Sequence, residues 1–383
     1  MVSGRDEQTT GRIRLGMVGG GNDAFIGGVH RIAARIDDRY ELVAGALSST
    51  PEKSRASGEA LGLPRIYDDF KSMAIREARL KTGIEAVSIV TPNHVHYAAA
   101  REFLKRGIHV ICDKPLTSTL ADAKKLAKAA ESSDALFILT HNYTGYPMVR
   151  QAREMVASGA IGTIRVVQVE YPQDWLTVEQ DFKQAEWRTD PARSGAGGST
   201  GDIGTHAYNL ACFVTGLTAE SLAADLQAFV PGRQVDDNAH VLLRFAGGAR
   251  GMLWSSQVAP GNENALRLRV YGDKGGLEWA QEDPNYLWYT PFGEPKRLIT
   301  RGGAGAGPQA ERMSRIPPGH PEGYLEGFAN IYREAADAII AHRSGTAVSA
   351  DVVYPTVQDG LAGVRFVAAC VESSKRNAAW VSL

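Results

Sequence analysis

Short apolar runs alternate with segments of helical spacing through the first third of the chain. Residues 13–18, 42–47, 86–90, 109–112 and 136–140 read as buried strands, because each is a compact run rich in aliphatic or β-branched residues. Between them, residues 29–36, 52–61, 96–106 and 120–132 repeat apolar positions every three or four residues and read as helices. Strands alternating with helices of this length predict a doubly wound parallel sheet with right-handed crossovers. Residues 148–158 read as a connecting helix, and beyond Ile161 the character changes. Residues 165–171, 224–229, 239–245, 249–258, 266–271 and 283–290 are β-rich runs with few helices between them, which predicts a large, mostly antiparallel open sheet. The expected organisation is an α/β Rossmann domain over 1–142 and an α+β domain over 143–383 for substrate binding and oligomerisation. The Gly/Ala/Pro-rich stretch 301–318 predicts a mobile loop, and the last helix, 357–374, is expected to return toward the first domain. One broad sheet face has no helix to cover it, so a homodimer or homotetramer through the second sheet is expected.

Composition narrows the function classes. A chain of 383 residues with 44% hydrophobic content has enough apolar material for two cores. Its formal net charge of -1 shows no basic excess, which argues against nucleic acid as a partner. The three cysteines, Cys112, Cys212 and Cys370, are odd in number and widely spaced, as expected of reduced thiols in a cytoplasmic protein. The N-terminal residues are polar, and no apolar run approaches the roughly 20 residues that span a bilayer. No membrane partner is expected.

The first strand runs into Gly19-Gly20-Gly21 ahead of a helix, the context in which glycine lets a backbone approach a pyrophosphate. The next glycines, Gly27 and Gly28, follow an insertion over 22–26 that contains Phe25 and Ile26, so the turn is longer than G-x-G-x-x-G. Phe25 and Ile26 join the three glycines as candidate cofactor contacts. The end of the second strand, Gly45-Ala46-Leu47-Ser48-Ser49-Thr50, carries no acid for a ribose diol. Ser48 and Ser49, with Lys53 and Arg55 close behind, suit a 2′-phosphate, so NADP is favoured over NAD. The plain alternative is that Lys53 and Arg55 form an exposed helix face.

Gly201-Asp202-Ile203-Gly204-Thr205-His206 puts an acid and an imidazole four positions apart, on one face if the segment is helical. Lys114 follows the strand over 109–112, at the end of an α/β sheet where ligands bind. A cation, a carboxylate and an imidazole aimed at one crevice form a proton-handling set. Asp202 also fits the N-cap of a helix over 203–213.

Four ordered motifs together resemble the Gfo/Idh/MocA family, the relatives of glucose-fructose oxidoreductase and inositol 2-dehydrogenase. Thr91-Pro92-Asn93-His94-Val95-His96 is similar to its T-P-N-x-x-H loop, and Asp113-Lys114-Pro115 to its E-K-P signature with Asp for Glu. Gly198 to His206 is similar to its G-G-x-x-x-D-x-G-x-H element, and Trp187-Arg188-Thr189-Asp190-Pro191 also has a family-like form. The resemblance implies that Lys114, Asp202 and His206 form the active site and that Pro92 and Asn93 lie beside the nicotinamide. Thr91, His96, Asp113, Lys114 and Asn142 join the candidate cofactor contacts, and the Lys114–Pro115 bond is expected to be cis. Two departures reshape the expected sugar pocket. Asn209 replaces a common aspartate, and Asn142-Tyr143-Thr144-Gly145-Tyr146 replaces an Asn-Arg-Arg-Phe-like run.

Oxidising a secondary alcohol requires a base for the hydroxyl proton and an acceptor for the hydride. His206 is the expected base, since an unperturbed imidazole accepts a proton near neutral pH. Lys114 is expected to hydrogen-bond the same hydroxyl, and Asp202 to orient the imidazole or hold a neighbouring hydroxyl. No metal is required; His94 and His96 lack acidic or cysteine partners at ligand spacing. Tyr143, Tyr171, Asp174, Trp175, Arg188 and His320 are candidate contacts, with Lys114, Asp202 and His206, for a polyol, sugar or cyclitol. The expected activity is hydride transfer between a ring secondary hydroxyl and NAD(P). Redox-assisted glycoside cleavage and a nucleotide-sensing regulatory protein are the alternatives.

Overall fold

The computed structural model describes residues 11–22, 24–180 and 190–383. Strands β1 (Ile13–Gly19), β2 (Tyr40–Ala46), β3 (Arg65–Ile66), β4 (Ala86–Val90), β5 (His109–Cys112) and β6 (Phe137–Leu139) form a parallel sheet in the order β3-β2-β1-β4-β5-β6. The order reverses between β1 and β4, which opens a crevice at the carboxyl ends of the strands. All five residues of β4 are buried, because helices cover both faces. Between the strands run α1 (Phe25–Ile36), α2 (Pro51–Ala60), α3 (Phe70–Glu77), α4 (His96–Leu104) and α5 (Leu120–Glu131).

Two helices from the end of the chain complete this half. The long α9 (Tyr324–Arg343) sets Phe328, Ile331 and Tyr332 against Val29 and Ala33 of α1 on one face. On the other face α10 (Val357–Lys375) adds Val357, Leu361 and Val364 to a core shared with Phe103, Ala123 and Leu126. The predicted Rossmann topology is therefore present, with differences at its margins. Helix α1 begins at Phe25, so part of the 22–26 insertion is the helix's first turn. The pair β3 and α3 had no periodic signal because both are short; Asp69 starts α3 by accepting the Ser72 N–H at 2.8 Å.

The second sheet contains β7 (Ile164–Pro172), β8 (Ala219–Gln227), β9 (Asn238–Phe245), β10 (Arg250–Ser256), β11 (Arg267–Gly272), β12 (Gly275–Ala280), β13 (Tyr286–Pro291), β14 (Arg297–Thr300) and β15 (Val381–Ser382). Their order is β14-β13-β12-β11-β7-β10-β9-β8-β15. The central β7 and β10 run parallel and the other described pairs are antiparallel. Alternation in β9 sends Val241 and Leu243 inward, beside Val167, Val169, Leu253 and Leu268. Helices α6 (Pro147–Ala157) and α7 (Thr205–Thr215) cover this inner face. Among the described residues no helix covers the outer face, and Leu242 there is 53% exposed.

The stretch 301–318 differs from its expected mobility. It contains α8 (Pro308–Arg312), and buried Arg301 at its start pairs with Glu322 at 3.0 Å and donates to the Ile316 carbonyl at 2.8 Å. Arg315 then donates through Nε to Asp37 at the end of α1, at 2.9 Å. A small-residue composition suggested freedom; the strap is pinned by a few buried charges. Among the described residues, no helix is long and apolar enough to cross a membrane.

The glycine turn shows why a side chain is excluded there. Gly20 has φ +72°, and a Cβ on Gly27 would stand 2.4 Å from the Gly20 Cα. Gly27→Ala must push α1 away from the turn. It should lower stability by about 1–3 kcal/mol and weaken dinucleotide binding about tenfold, read by denaturant unfolding and a fluorescence titration. Wild-type affinity in this variant would show that the close approach has no role in binding.

Candidate active site

The proposed catalytic residues meet across the crevice between the sheets. Lys114 lies just past β5, with a cis bond to Pro115. Its ammonium donates to Asp202 Oδ1 at 2.9 Å and to the Asp202 backbone carbonyl at 2.6 Å. The second carboxylate oxygen of Asp202 accepts from Gln257 Nε2 at 3.0 Å. Gln257, one residue past β10, is held in turn by its N–H on the Asp237 carbonyl at 2.8 Å.

Asp202 is not the cap of an α-helix. It sits in the middle of a π-helical turn, Thr200–Gly204, with Ser199 in the cap position and α7 starting at Thr205. This corrects the helix start at 203 and the N-cap alternative. Such wide turns recur where a side chain must be aimed at a site. Asp236 holds the turn's entry: its carboxylate accepts from the Gly198 and Thr200 N–H groups, each at 2.8 Å, and from the Thr200 hydroxyl at 2.7 Å. A Cβ on Gly198 would fall 2.0 Å from the Asp236 carbonyl oxygen. Burial pushes the Asp236 carboxyl up, against the pull of these donors.

His206, on the first turn of α7, is buried among three rings. Its centroid lies 4.9 Å from Tyr143, 5.6 Å from His141 and 6.3 Å from Tyr171, all edge-on. Burial pushes its pKa well below the usual 6.5, the charges of Lys114 and His141 add to this, and Asp202 opposes them. The imidazole is therefore neutral at ordinary pH, and its Nδ1 is buried with no hydrogen-bond partner among the described residues. His141 is a second buried imidazole, pushed down to about 4 chiefly by burial, with Asp359 opposing and Lys114 reinforcing.

Several polar groups along the crevice fit a dinucleotide. The glycine turn admits a close approach, and the buried Thr91 Oγ1 and Asn142 Nδ2 have no hydrogen-bond partner among the described residues. These atoms lie just past β4 and β6, at the carboxyl ends of the strands where ligands bind in open α/β sheets. Phe25 is 65% exposed at the start of α1 beside the glycine turn, and Ile26 is half-buried. Ser49 and Lys53 are exposed past the end of β2, while the Ser48 hydroxyl accepts from the Thr50 N–H at 3.1 Å. Pro92 is exposed, and Asn93 reaches across to donate to the Ser194 carbonyl at 3.2 Å. Asp113 receives the Thr140 hydroxyl at 2.9 Å and faces His30 Nε2 at 3.6 Å. Burial raises its pKa, but His30 and the charge of Lys114 hold it below the usual carboxylate range.

Other expected contacts are used differently. His96 is fully buried, with Nδ1 at 2.8 Å from the Pro115 carbonyl and Nε2 at 2.9 Å from the Thr91 carbonyl. The ring sits between two carbonyl acceptors, and its single N–H donates to one of them, so His96 braces the loops after β4 and β5. Asp174 accepts the Gly261 N–H at 3.1 Å and so braces a turn. Trp175 donates its indole N–H to Gln173 at 2.8 Å. His320 is exposed on the strap, where its carbonyl accepts from Arg301; its described hydrogen bonds do not join it to Lys114, Asp202 or His206. Arg188 lies outside the described residues. Tyr143 and Tyr171 are buried beside His206, with their hydroxyls 2.5 Å apart.

Sequence reasoning missed His141, Gln257, Asn264 and Asp236. His141 had a usable signal, since it follows β6 as Lys114 follows β5. Gln257 and Asn264 had none, because strand register alone brings them to the cleft.

Comparison with known proteins agrees with this geometry. Residues 13–141 match the oxidoreductase family model described as an NAD-binding Rossmann fold, and residues 149–278 match the GFO/IDH/MocA C-terminal domain. The chain is 35% identical over 378 residues to "Uncharacterized oxidoreductase YfiI" of Bacillus subtilis (strain 168), covering 96% of each chain. A solved oxidoreductase from Sinorhizobium meliloti is 71% identical with a TM-score of 0.90, covering 97% of this chain and 99% of that one. An inositol dehydrogenase homolog from Azotobacter vinelandii, solved with NADH and myo-inositol, is 37% identical with a TM-score of 0.92 and 98% coverage of both chains. The chain belongs to the Gfo/Idh/MocA family of oxidoreductases, as a nicotinamide-dependent dehydrogenase acting on CH–OH groups.

Proposed function

We propose that this dehydrogenase oxidises a ring secondary hydroxyl of a polyol, a sugar, glycoside or cyclitol, with His206 as the base. The observation that carries the reading is a neutral, buried imidazole with an unpartnered nitrogen, close to a lysine already locked on an aspartate. His206 takes the hydroxyl proton, Lys114 donates a hydrogen bond to the oxygen as alkoxide character develops, and Asp202 holds Lys114 in that direction. When bound, the nicotinamide supplies the hydride acceptor. Thr91, Asn142 and the glycine turn are assigned to hold the dinucleotide. The myo-inositol bound by the Azotobacter vinelandii homolog supports a polyol as the substrate class.

The cofactor preference is read as NADP over NAD. Support comes from the absence of an acid at the end of β2 and the exposure of Ser49 and Lys53 there. Lys53→Glu should then lower kcat/KM for NADP about tenfold and leave NAD within about twofold. Equal effects on both dinucleotides would remove the basis for the preference.

The lowered pKa of His206 fixes the pH behaviour. The base works unprotonated, so alcohol oxidation is lost as pH falls through the folded-state value, which lies well below 6.5. In steady-state assays kcat/KM should be flat from about pH 6.5 upward, with its acid limb below that. His206→Ala should lower kcat about 10²–10⁴-fold while dinucleotide affinity stays within about twofold. Full turnover in the variant, or an acid limb centred above the ordinary histidine value, would sink the assignment.

The outer face of the second sheet is read as a contact between copies, giving a homodimer or homotetramer. Leu242, Met252 and Val166 are 53%, 39% and 39% exposed on neighbouring strands. The double variant Leu242→Glu/Met252→Glu should elute and scatter light as a monomer with its fold intact. An unchanged assembly mass would place the contact elsewhere.

A further inference from the structure

The two tyrosines beside His206 belong to a hydrogen-bonded chain whose direction is set from one end. Trp175 Nε1 stands 2.8 Å from Gln173 Oε1. An indole nitrogen can only donate, so Gln173 must turn its oxygen there and its amide nitrogen the other way. That nitrogen meets Asn264 Oδ1 at 2.7 Å. The Tyr171 hydroxyl also lies 2.7 Å from Asn264 Oδ1, so its proton goes to the amide oxygen. With its only proton engaged, Tyr171 accepts from the Tyr143 hydroxyl 2.5 Å away. The Asn264 amide nitrogen is consistent with this polarity, since it points to Gln281 Oε1 at 3.0 Å and toward the Tyr143 oxygen at 3.5 Å. Tyr143 is left with lone pairs and no free proton, on a ring packed against His206.

We propose that Trp175, acting through Gln173, Asn264 and Tyr171, fixes Tyr143 as a hydrogen-bond acceptor toward the substrate. The cleft therefore requires a donor hydroxyl on the ring position that meets Tyr143. The requirement rests on the polyol reading above, whereas the polarity of the chain does not. A substituent that accepts but cannot donate, such as fluorine, an ether or a ketone, faces a lone pair at that position and is rejected. Gln173, Asn264 and Trp175 are positioning residues in this scheme.

Two measurements separate the parts. Thermal unfolding tests the polarity without any substrate. Tyr171→Phe strands the buried Tyr143 donor, whereas Tyr143→Phe leaves only an unused lone pair on Tyr171. Tyr171→Phe should lower Tm by about 2–4 °C more than Tyr143→Phe, and the double variant should be no less stable than Tyr171→Phe. A larger loss for Tyr143→Phe overturns the polarity.

The second measurement uses myo-inositol and its monodeoxy-monofluoro analogues as substrates with NAD and NADP. At one ring position, exchanging hydroxyl for fluorine should lower kcat/KM about 100-fold in the wild type and less than about threefold in Tyr143→Phe. Trp175→Phe, which keeps both tyrosines, should reduce that discrimination to about tenfold. Discrimination that persists in Tyr143→Phe, or wild-type tolerance at every position, overturns the donor requirement. Failure of the wild type to turn over myo-inositol counts against the polyol reading and the donor requirement together, and the melting temperatures still decide the polarity.

Discussion

Lys114 extends from the end of the first sheet to an aspartate on the π-helical turn that precedes α7, and the two charges are enclosed together. Their side chains are only 16% and 15% exposed. Removing either partner would leave the other charged in a poorly solvated cleft, which is far less favourable than losing a surface pair. The pair therefore does two things with one contact. It ties the two halves of the molecule together, and it holds the ammonium in one direction. His206 depends on the same contact, since Lys114 and Asp202 act on its proton affinity in opposite directions.

Most of the surrounding architecture constrains Asp202. The wide turn Thr200–Gly204 points it, Gln257 takes its second oxygen, and Asp236 holds the turn from behind. His96 works similarly on the other side, bridging the loops after β4 and β5 that flank Lys114. None of these supporting groups needs to touch a reacting atom. Their effect is to remove alternative positions for the few that do, which is how a static scaffold lowers reorganisation during chemistry.

The meeting of Lys114, Asp202 and His206 was readable because their signals are local. Lys114 follows an apolar strand, and Asp202 and His206 share a short glycine-flanked motif. The π-turn was not readable, because one wide turn leaves the hydrophobic period almost unchanged. Gln257 and Asn264 are set by the registers of β10 and β11, and a strand's own residues do not state its register. The same blindness hid β12, β14 and β15, which are short or glycine-led. The strap over 301–318 was misread for a different reason. Composition reports average freedom, but Arg301 at its start and Glu322 just beyond its end, with Arg315 between them, determine where it lies.

The helices α9 and α10 finish the core of a sheet whose last strand, β6, ends at Leu139. Synthesis and closure therefore run on different clocks. At about 5–20 residues per second, something like ten to forty seconds separate the emergence of β6 from that of Val364. Until α10 emerges the nascent first sheet lacks its full cover, so Phe103, Leu126 and Ile89 remain in reach of water and of other chains. A half that looks modular in its sequence thus becomes a finished body only when the rest of the polypeptide has arrived.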